Sequence, residues 1–222
     1  MIDISIEKMQ PSEIDLVANI LMEAFIVNSA YKLVFLNDNQ REEGLLWLFK
    51  SNLIIHNQKQ TLTRVVKVKG TNEIIGTFTI VPPEGVGNNW AVYCKLGLFG
   101  FVSKFGFTPL IRMKGLDRCN KSTLDQSIQA KEYYYLSTLV IKKEYQGYGL
   151  GSYVVRQVIR ELSRNPKATI MGLTTQLAVN ATFYTKLGFK KLDEGYVNYK
   201  QHRYYNYNMA IDLPQAYPSE MD

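Results

Sequence analysis

The stretch EYQGYGLGSYVVRQVIREL, residues 144–162, decides the reading of this chain. Gly147, Gly149 and Gly151 stand on alternate positions, and the chain then enters a segment whose apolar residues Leu150, Val154, Val155, Val158, Ile159 and Leu162 follow helical spacing. The first four N–H groups of a helix have no internal partner, and the macrodipole places partial positive charge there. A phosphate can accept those hydrogen bonds where no Cβ blocks it, and glycine permits the positive φ values that curl amides around an anion. A glycine turn that joins strand to helix and binds nothing is the competing reading. Neither the triphosphate loop, which needs a following Lys-Ser or Lys-Thr, nor the dinucleotide fingerprint fits; the spacing is Q-x-x-G-x-G, with Gln146, Gly149 and Gly151.

Around this segment the periodicity predicts alternating elements. EYYYLSTLVI (132–141) reads as a strand before the glycines, ATIMGLTT (168–175) as a strand after the helix, and Asn165 with Pro166 as the helix stop. NATFYTKLG (180–188) reads as a short helix closed by Gly188, followed by strands near 189–196 and 203–212. Upstream, Ile2, Ile4 and Ile6 alternate as a short strand, and a helix over about 12–25 carries a possible capping box between Ser12 and Asp15. A second helix covers 41–56, and TLTRVVKVKG and EIIGTFTIV form a hairpin turning at Gly70, Thr71 and Asn72 and ending at Pro82 and Pro83. Residues 84–130 show no dominant period and are expected to be a helical or irregular insertion, with short helices covering one end of the sheet; 213–222 read as a frayed tail. The pattern predicts one α/β domain (α+β mixed) over 1–222, with helices on a mixed sheet.

Composition narrows the function classes. The chain has 222 residues, 46% of them hydrophobic, with 26 Lys plus Arg against 20 Asp plus Glu and a net charge of +6. The excess is +3 in residues 1–131 and +3 in 132–222, so no basic arm points to nucleic acid. Cys94, Cys119, His56 and His202 have no metal-ligand spacing, and no apolar run has signal-peptide or membrane-spanning length. The expectation is a soluble cytoplasmic protein with reduced thiols, no metal and no membrane partner, as a monomer or homodimer.

LSTLVIKKEYQGYGLGS and NATFYTKLGFKK together resemble the two signature segments of the GCN5-related N-acetyltransferases. The resemblance implies a mostly antiparallel twisted sheet of about 6–7 strands, with a splayed strand pair at an acetyl-CoA site. It implies that backbone groups at Leu139, Val140 and Ile141 hold the pantetheine arm. A backbone N–H near Val140 would stabilise the oxyanion. The segment Gln146, Gly147, Tyr148, Gly149, Leu150, Gly151 and Ser152 would cradle the pyrophosphate, and Asn180 would contact the cofactor arm. Tyr184 would be the acid that protonates the departing thiolate, since a phenol keeps its proton at neutral pH. Where Lys143 stands the family often has proline, and Lys142 or Lys143 would help neutralise phosphate.

Packing alone also accounts for Tyr184, beside Phe183 and Phe189, and helix capping for Asn180. Glu23, Glu132 and Tyr133, Tyr134 and Tyr135 are candidates for relaying the amine's proton, and His202 reads as an exposed loop residue. In the resembled family the acceptor pocket comes from about 20–40, 84–130 and 196–206. The activity implied is acetyl transfer to the primary amine of a small molecule by direct attack in a ternary complex. A noncatalytic acyl-CoA-binding regulator and a nucleic-acid-binding module are the alternatives.

Overall fold

In a computed structural model the chain is described at residues 2–58, 62–86, 90–129, 132–164, 168–199 and 202–214. The helix stop at Asn165 and Pro166 and most of the expected tail lie outside these residues. The elements in chain order are β1 (Ile4–Lys8), α1 (Ile14–Phe25), α2 (Ser29–Val34), α3 (Asp38–Gln58), β2 (Leu62–Val68), β3 (Ile74–Val81), α4 (Trp90–Lys95), α5 (Leu98–Phe105), α6 (Thr108–Ser127), β4 (Tyr134–Ile141), α7 (Leu150–Leu162), β5 (Ile170–Thr175), α8 (Ala178–Lys186), β6 (Lys190–Tyr199) and β7 (His202–Asp212).

The seven strands form one sheet in the order β1-β2-β3-β4-β5-β7-β6. Neighbours run antiparallel except β4 and β5, which are parallel. Parallel neighbours need a crossover, and α7 supplies it. Its buried stripe Leu150, Val154, Val155, Val158 and Leu162 packs on one face of the sheet with Phe78, Leu136, Met171, Leu173 and Met209. α1 and α3 cover the opposite face over Val65, Ile74 and Val140, while α6 lies over β5, β6 and β7 on that face. β3 is an interior strand and buried on both faces.

Two local expectations are corrected. The first helix opens with a 3-10 turn at Pro11–Glu13, and the Glu13 carboxylate accepts the Gln10 N–H at 2.7 Å, so Gln10 and Glu13 perform the capping assigned to Ser12 and Asp15. The insertion is not made of short helices alone, because α6 runs for 20 residues and covers part of a sheet face rather than one end. A Cβ on Gly172 would stand 2.8 Å from Ile128 Cδ1, so the bare backbone of β5 lets α6 approach.

Gly76 in β3 is the tightest backbone approach in the sheet. A Cβ there would stand 2.6 Å from the Val140 carbonyl oxygen, a backbone atom that cannot rotate away. Gly76→Ala is therefore expected to destabilise the fold by about 1–3 kcal/mol, as overpacking does. For a chain of this size that lowers the melting temperature by roughly 2–12 °C. An unchanged melting curve by circular dichroism would show that β3 and β4 separate more easily than their pairing implies.

Candidate active site

β4 and β5 share two described residue pairs, Tyr134 with Met171 and Tyr135 with Gly172. Beyond them β4 follows β3 as far as Ile141 opposite Gly76, and β5 follows β7 as far as Thr175 opposite Tyr207. The register of β4 against β3 slips by one residue at Ser137, where β4 leaves β5. A bulge bends its strand and increases the twist, which opens a wedge between two parallel strands.

The backbone of β4 alternates along that wedge. The Lys142 N–H donates to the Ile75 carbonyl at 2.8 Å, which fixes the phase: Lys142 and Val140 direct their backbone groups toward β3. Leu139 and Ile141 direct theirs into the wedge, and the Ile141 carbonyl accepts Gln146 Nε2 at 2.8 Å. Gln146 thus braces the end of β4 against the glycine turn.

That turn sits at the mouth of the wedge. Gly147 and Gly149 have φ of +84° and +76°, and a Cβ on either would meet nothing within 4 Å, so a concave strip of bare backbone faces outward. Gly149 is the N-cap of α7, whose first N–H groups, on Leu150, Gly151 and Ser152, lack intrahelical partners. Gly151 is helical, and its missing Cβ would lie 3.4 Å from the Phe183 ring. Leu150 is buried, so it offers only its backbone, whereas the Tyr148 side chain is exposed. Lys142 is paired with Glu73 at 3.2 Å, and Tyr145 donates to the same carboxylate at 2.8 Å, so both pin the turn to the β2–β3 hairpin. Lys143 is the exposed lysine of the two.

α8 closes the other side. It begins at Ala178 with Leu177 as N-cap, so Asn180 is not a cap. Its Nδ2 donates to Thr175 Oγ1, the last residue of β5, at 3.3 Å. Tyr184 is buried, with edge-to-face contacts to Phe183 at 5.0 Å and Phe189 at 5.3 Å. Desolvation raises its phenol well above the usual range, with a smaller contribution from Tyr135. Tyr135 in turn shares a 3.1 Å hydrogen bond with Thr174, across the floor of the wedge.

On the α6 side of the wedge lies a group that the sequence did not reveal. Asp117 of α6 acts electrostatically on Tyr31 of α2, Tyr93 of α4, Tyr135 of β4 and Tyr204 of β7. Tyr204 donates to Asn120 Oδ1 at 2.5 Å, and Tyr31 stacks edge-on against Phe25 and Phe49. Asp117 is solvent-exposed, yet desolvation by the surrounding elements raises its carboxyl to about 6. Among the earlier candidates, Tyr134 faces the α7 core, Tyr133 donates to Asp125 at 2.5 Å, and Glu23 and Glu132 are exposed. His202 is half-buried at the start of β7 rather than in an exposed loop.

Among the described residues no cluster of His, Cys, Asp or Glu could hold a metal ion, and no helix is long and apolar enough to cross a membrane. Residues 114–197 match the family model of the FR47-like proteins. No curated protein sequence is significantly similar to the chain. Among solved structures, a histone acetyltransferase HPA2 and related acetyltransferase from Corynebacterium glutamicum is 19% identical with a TM-score of 0.59, over 97% of this chain and 98% of that one. An acetyltransferase of the GNAT family from Streptococcus pneumoniae is 16% identical with a TM-score of 0.51, over 96% and 100%. The C-terminal condensation domain of Ebony, in complex with beta-alanyl-dopamine, is 11% identical with a TM-score of 0.69, over 96% and 100%. The chain thus has the fold of these acetyltransferases, and its residues 114–197 carry the FR47-like segment.

Proposed function

We propose that the protein is an acetyl-CoA-dependent N-acetyltransferase that moves an acetyl group to the primary amine of a small molecule by direct attack in a ternary complex. The observation that carries this reading is the coincidence of the β4–β5 wedge with a left-handed glycine turn at its mouth. An extended pantetheine arm is an amide chain of strand-like shape, and the outward backbone groups of Leu139 and Ile141 suit it as a neighbouring strand would. The N–H groups of Gly147 to Ser152 suit the pyrophosphate, and Asn180, bonded to the end of β5, suits the cofactor arm. The bound co-substrate supplies an activated acetyl thioester.

The chain's own residues then have separate tasks. The wedge-facing N–H of Leu139 or Ile141, rather than that of Val140, is placed to stabilise negative charge on the thioester oxygen. Tyr184 holds a proton for the leaving sulfur. Its raised pKa keeps the phenol protonated at neutral pH. Neither cysteine is needed as a nucleophile: Cys94 is exposed on α4, and transfer by direct attack leaves no acyl-enzyme. Action in the reducing cytoplasm accords with two unpaired thiols.

Isothermal titration with acetyl-CoA, compared with its 3′-dephospho analogue, tests the reading. Micromolar binding of acetyl-CoA is expected, and loss of the 3′-phosphate should weaken it only if a cation such as Lys143 reaches that group. Absence of binding at millimolar ligand removes the acetyltransferase and the noncatalytic regulator together, since both require the wedge to be occupied.

A further inference from the structure

Residues 95–121 hold six Lys plus Arg and one Asp, an excess of +5 within a chain whose net charge is +6. Three of those cations lie on one side of α6. Phe107, Ile111, Lys114, Arg118 and Lys121 recur at alternating intervals of four and three, which sets them in one row along the helix over roughly 21 Å. All five are exposed, while Pro109, Leu116 and Leu124 hold the other side of the helix to the protein.

The fold makes no use of this row. Phe107 is 66% exposed and Ile111 57%, and both lie outside the three core clusters. Phe107 is the N-cap of α6, a position where Ser, Thr, Asp or Asn would accept a backbone N–H, and its side chain makes no cap bond. Among the described residues none of Lys114, Arg118 and Lys121 forms an ion pair, whereas Lys104 of the preceding helix reaches Glu43 at 2.6 Å. Asp117 lies about 80° around the helix from the middle of the row, and Asp125, further along it, accepts the Tyr133 hydroxyl at 2.5 Å. One short helix upstream, Phe99 is 77% exposed, although Phe101 and Phe105 of that helix pack on Phe35 at 6.3 and 6.1 Å. Apolar side chains left in water beside three unpaired cations suit a partner that offers an apolar layer bounded by negative charge.

We propose that the outward face of α6 rests on an anionic phospholipid bilayer. Phe107 and Ile111 enter the boundary between headgroups and acyl chains, and Lys114, Arg118 and Lys121 lie over the phosphates. Long basic side chains keep their charge at the headgroups while their stems follow the apolar boundary. The contact is peripheral. No described helix is long and apolar enough to cross a membrane, and short apolar runs exclude spanning but not lying on a surface. Nucleic acid would satisfy the three cations but offers no apolar layer to Ile111. Nothing is required of the β4–β5 wedge, so bilayer contact stands or falls apart from acetyl transfer.

The test is cosedimentation of the full chain with vesicles of phosphatidylcholine alone, and of phosphatidylcholine with phosphatidylserine at about 7:3. Binding to the mixed vesicles is expected at least about tenfold above the neutral ones, and it should fall as salt is raised. Lys114→Ala combined with Arg118→Ala and Lys121→Ala should weaken it by about a hundredfold, at about fivefold per cation. Phe107→Ser combined with Ile111→Ser should weaken it by at least about tenfold and leave any binding to double-stranded DNA as it was. All five positions are exposed and serine is a good N-cap, so both variants should keep the wild-type melting curve and the wild-type affinity for acetyl-CoA. No preference for the anionic vesicles overturns the proposal. So does vesicle binding that survives the loss of Phe107 and Ile111, and equal binding to DNA would then mark a nonspecific polyanion surface.

Discussion

Gly149→Val is expected to weaken acetyl-CoA binding by at least about a hundredfold while the protein stays folded. Gly149 has φ +76°, a region that costs a residue with a Cβ about 1–2 kcal/mol and that a β-branched residue almost never occupies. Valine therefore shifts the turn and turns aside the amides that face the phosphates. Each hydrogen bond to a charged group contributes about 1.5–3 kcal/mol, so loss of two corresponds to roughly 10²–10⁴ in affinity. The fold is spared because no atom lies within 4 Å of the absent Cβ and the turn is exposed. Gly151→Ala is the control: that residue is helical, and the added methyl meets the Phe183 ring at 3.4 Å and Ile141 Cγ1 at 4.0 Å. Titration calorimetry and a melting curve on both variants check this. Native affinity in folded Gly149→Val would rule out the turn as the phosphate cradle.

The same two glycines show why this part of the chain was readable. From Tyr134 to Leu162 the apolar period changes from two to 3.6 across a run of glycines, and each element is fixed by its own residues. The β2–β3 hairpin was equally legible, since Gly70 and Asn72 take the positive φ that its turn requires. α6 was not. Its 20 residues include Thr108, Gly115, Asn120, Ser122, Thr123 and Ser127, all poor helix formers, and its buried positions Leu116 and Leu124 are too sparse to set a period. Such a helix is held by the sheet beneath it, by Gly172 in particular, and no local signal announces that contact.

The side chains around the wedge follow the same rule. The proposed cofactor half draws on backbone at contiguous positions, Leu139, Ile141 and Gln146 to Ser152, and such a run is legible in sequence. Tyr31, Tyr93, Asp117, Tyr135 and Tyr204 come singly from five elements. Nothing local separates Asp117 from Asp125, or Tyr31 from the other 14 tyrosines of the chain. Strand alternation placed Tyr133 and Tyr135 on a common face but did not say which face carried α6. The slip at Ser137 was likewise invisible, and it sends the Val140 backbone to β3 instead of into the wedge.

Tyr184→Phe is expected to lower kcat by about 10²–10⁴, the usual contribution of a positioned acid, with little change in acetyl-CoA affinity. The substitution removes one oxygen and keeps the ring, so the edge-to-face contacts with Phe183 and Phe189 persist and the melting temperature should hold. That pairing of a lost rate with unchanged stability and cofactor affinity distinguishes an acid from a packing aromatic. The pH dependence provides a second criterion. Burial raises the phenol's pKa, so the wild-type rate should not fall on the alkaline side until well above the ordinary phenol range. An alkaline decline centred near neutrality, or an unchanged kcat in the phenylalanine variant, would return Tyr184 to the core as a packing residue.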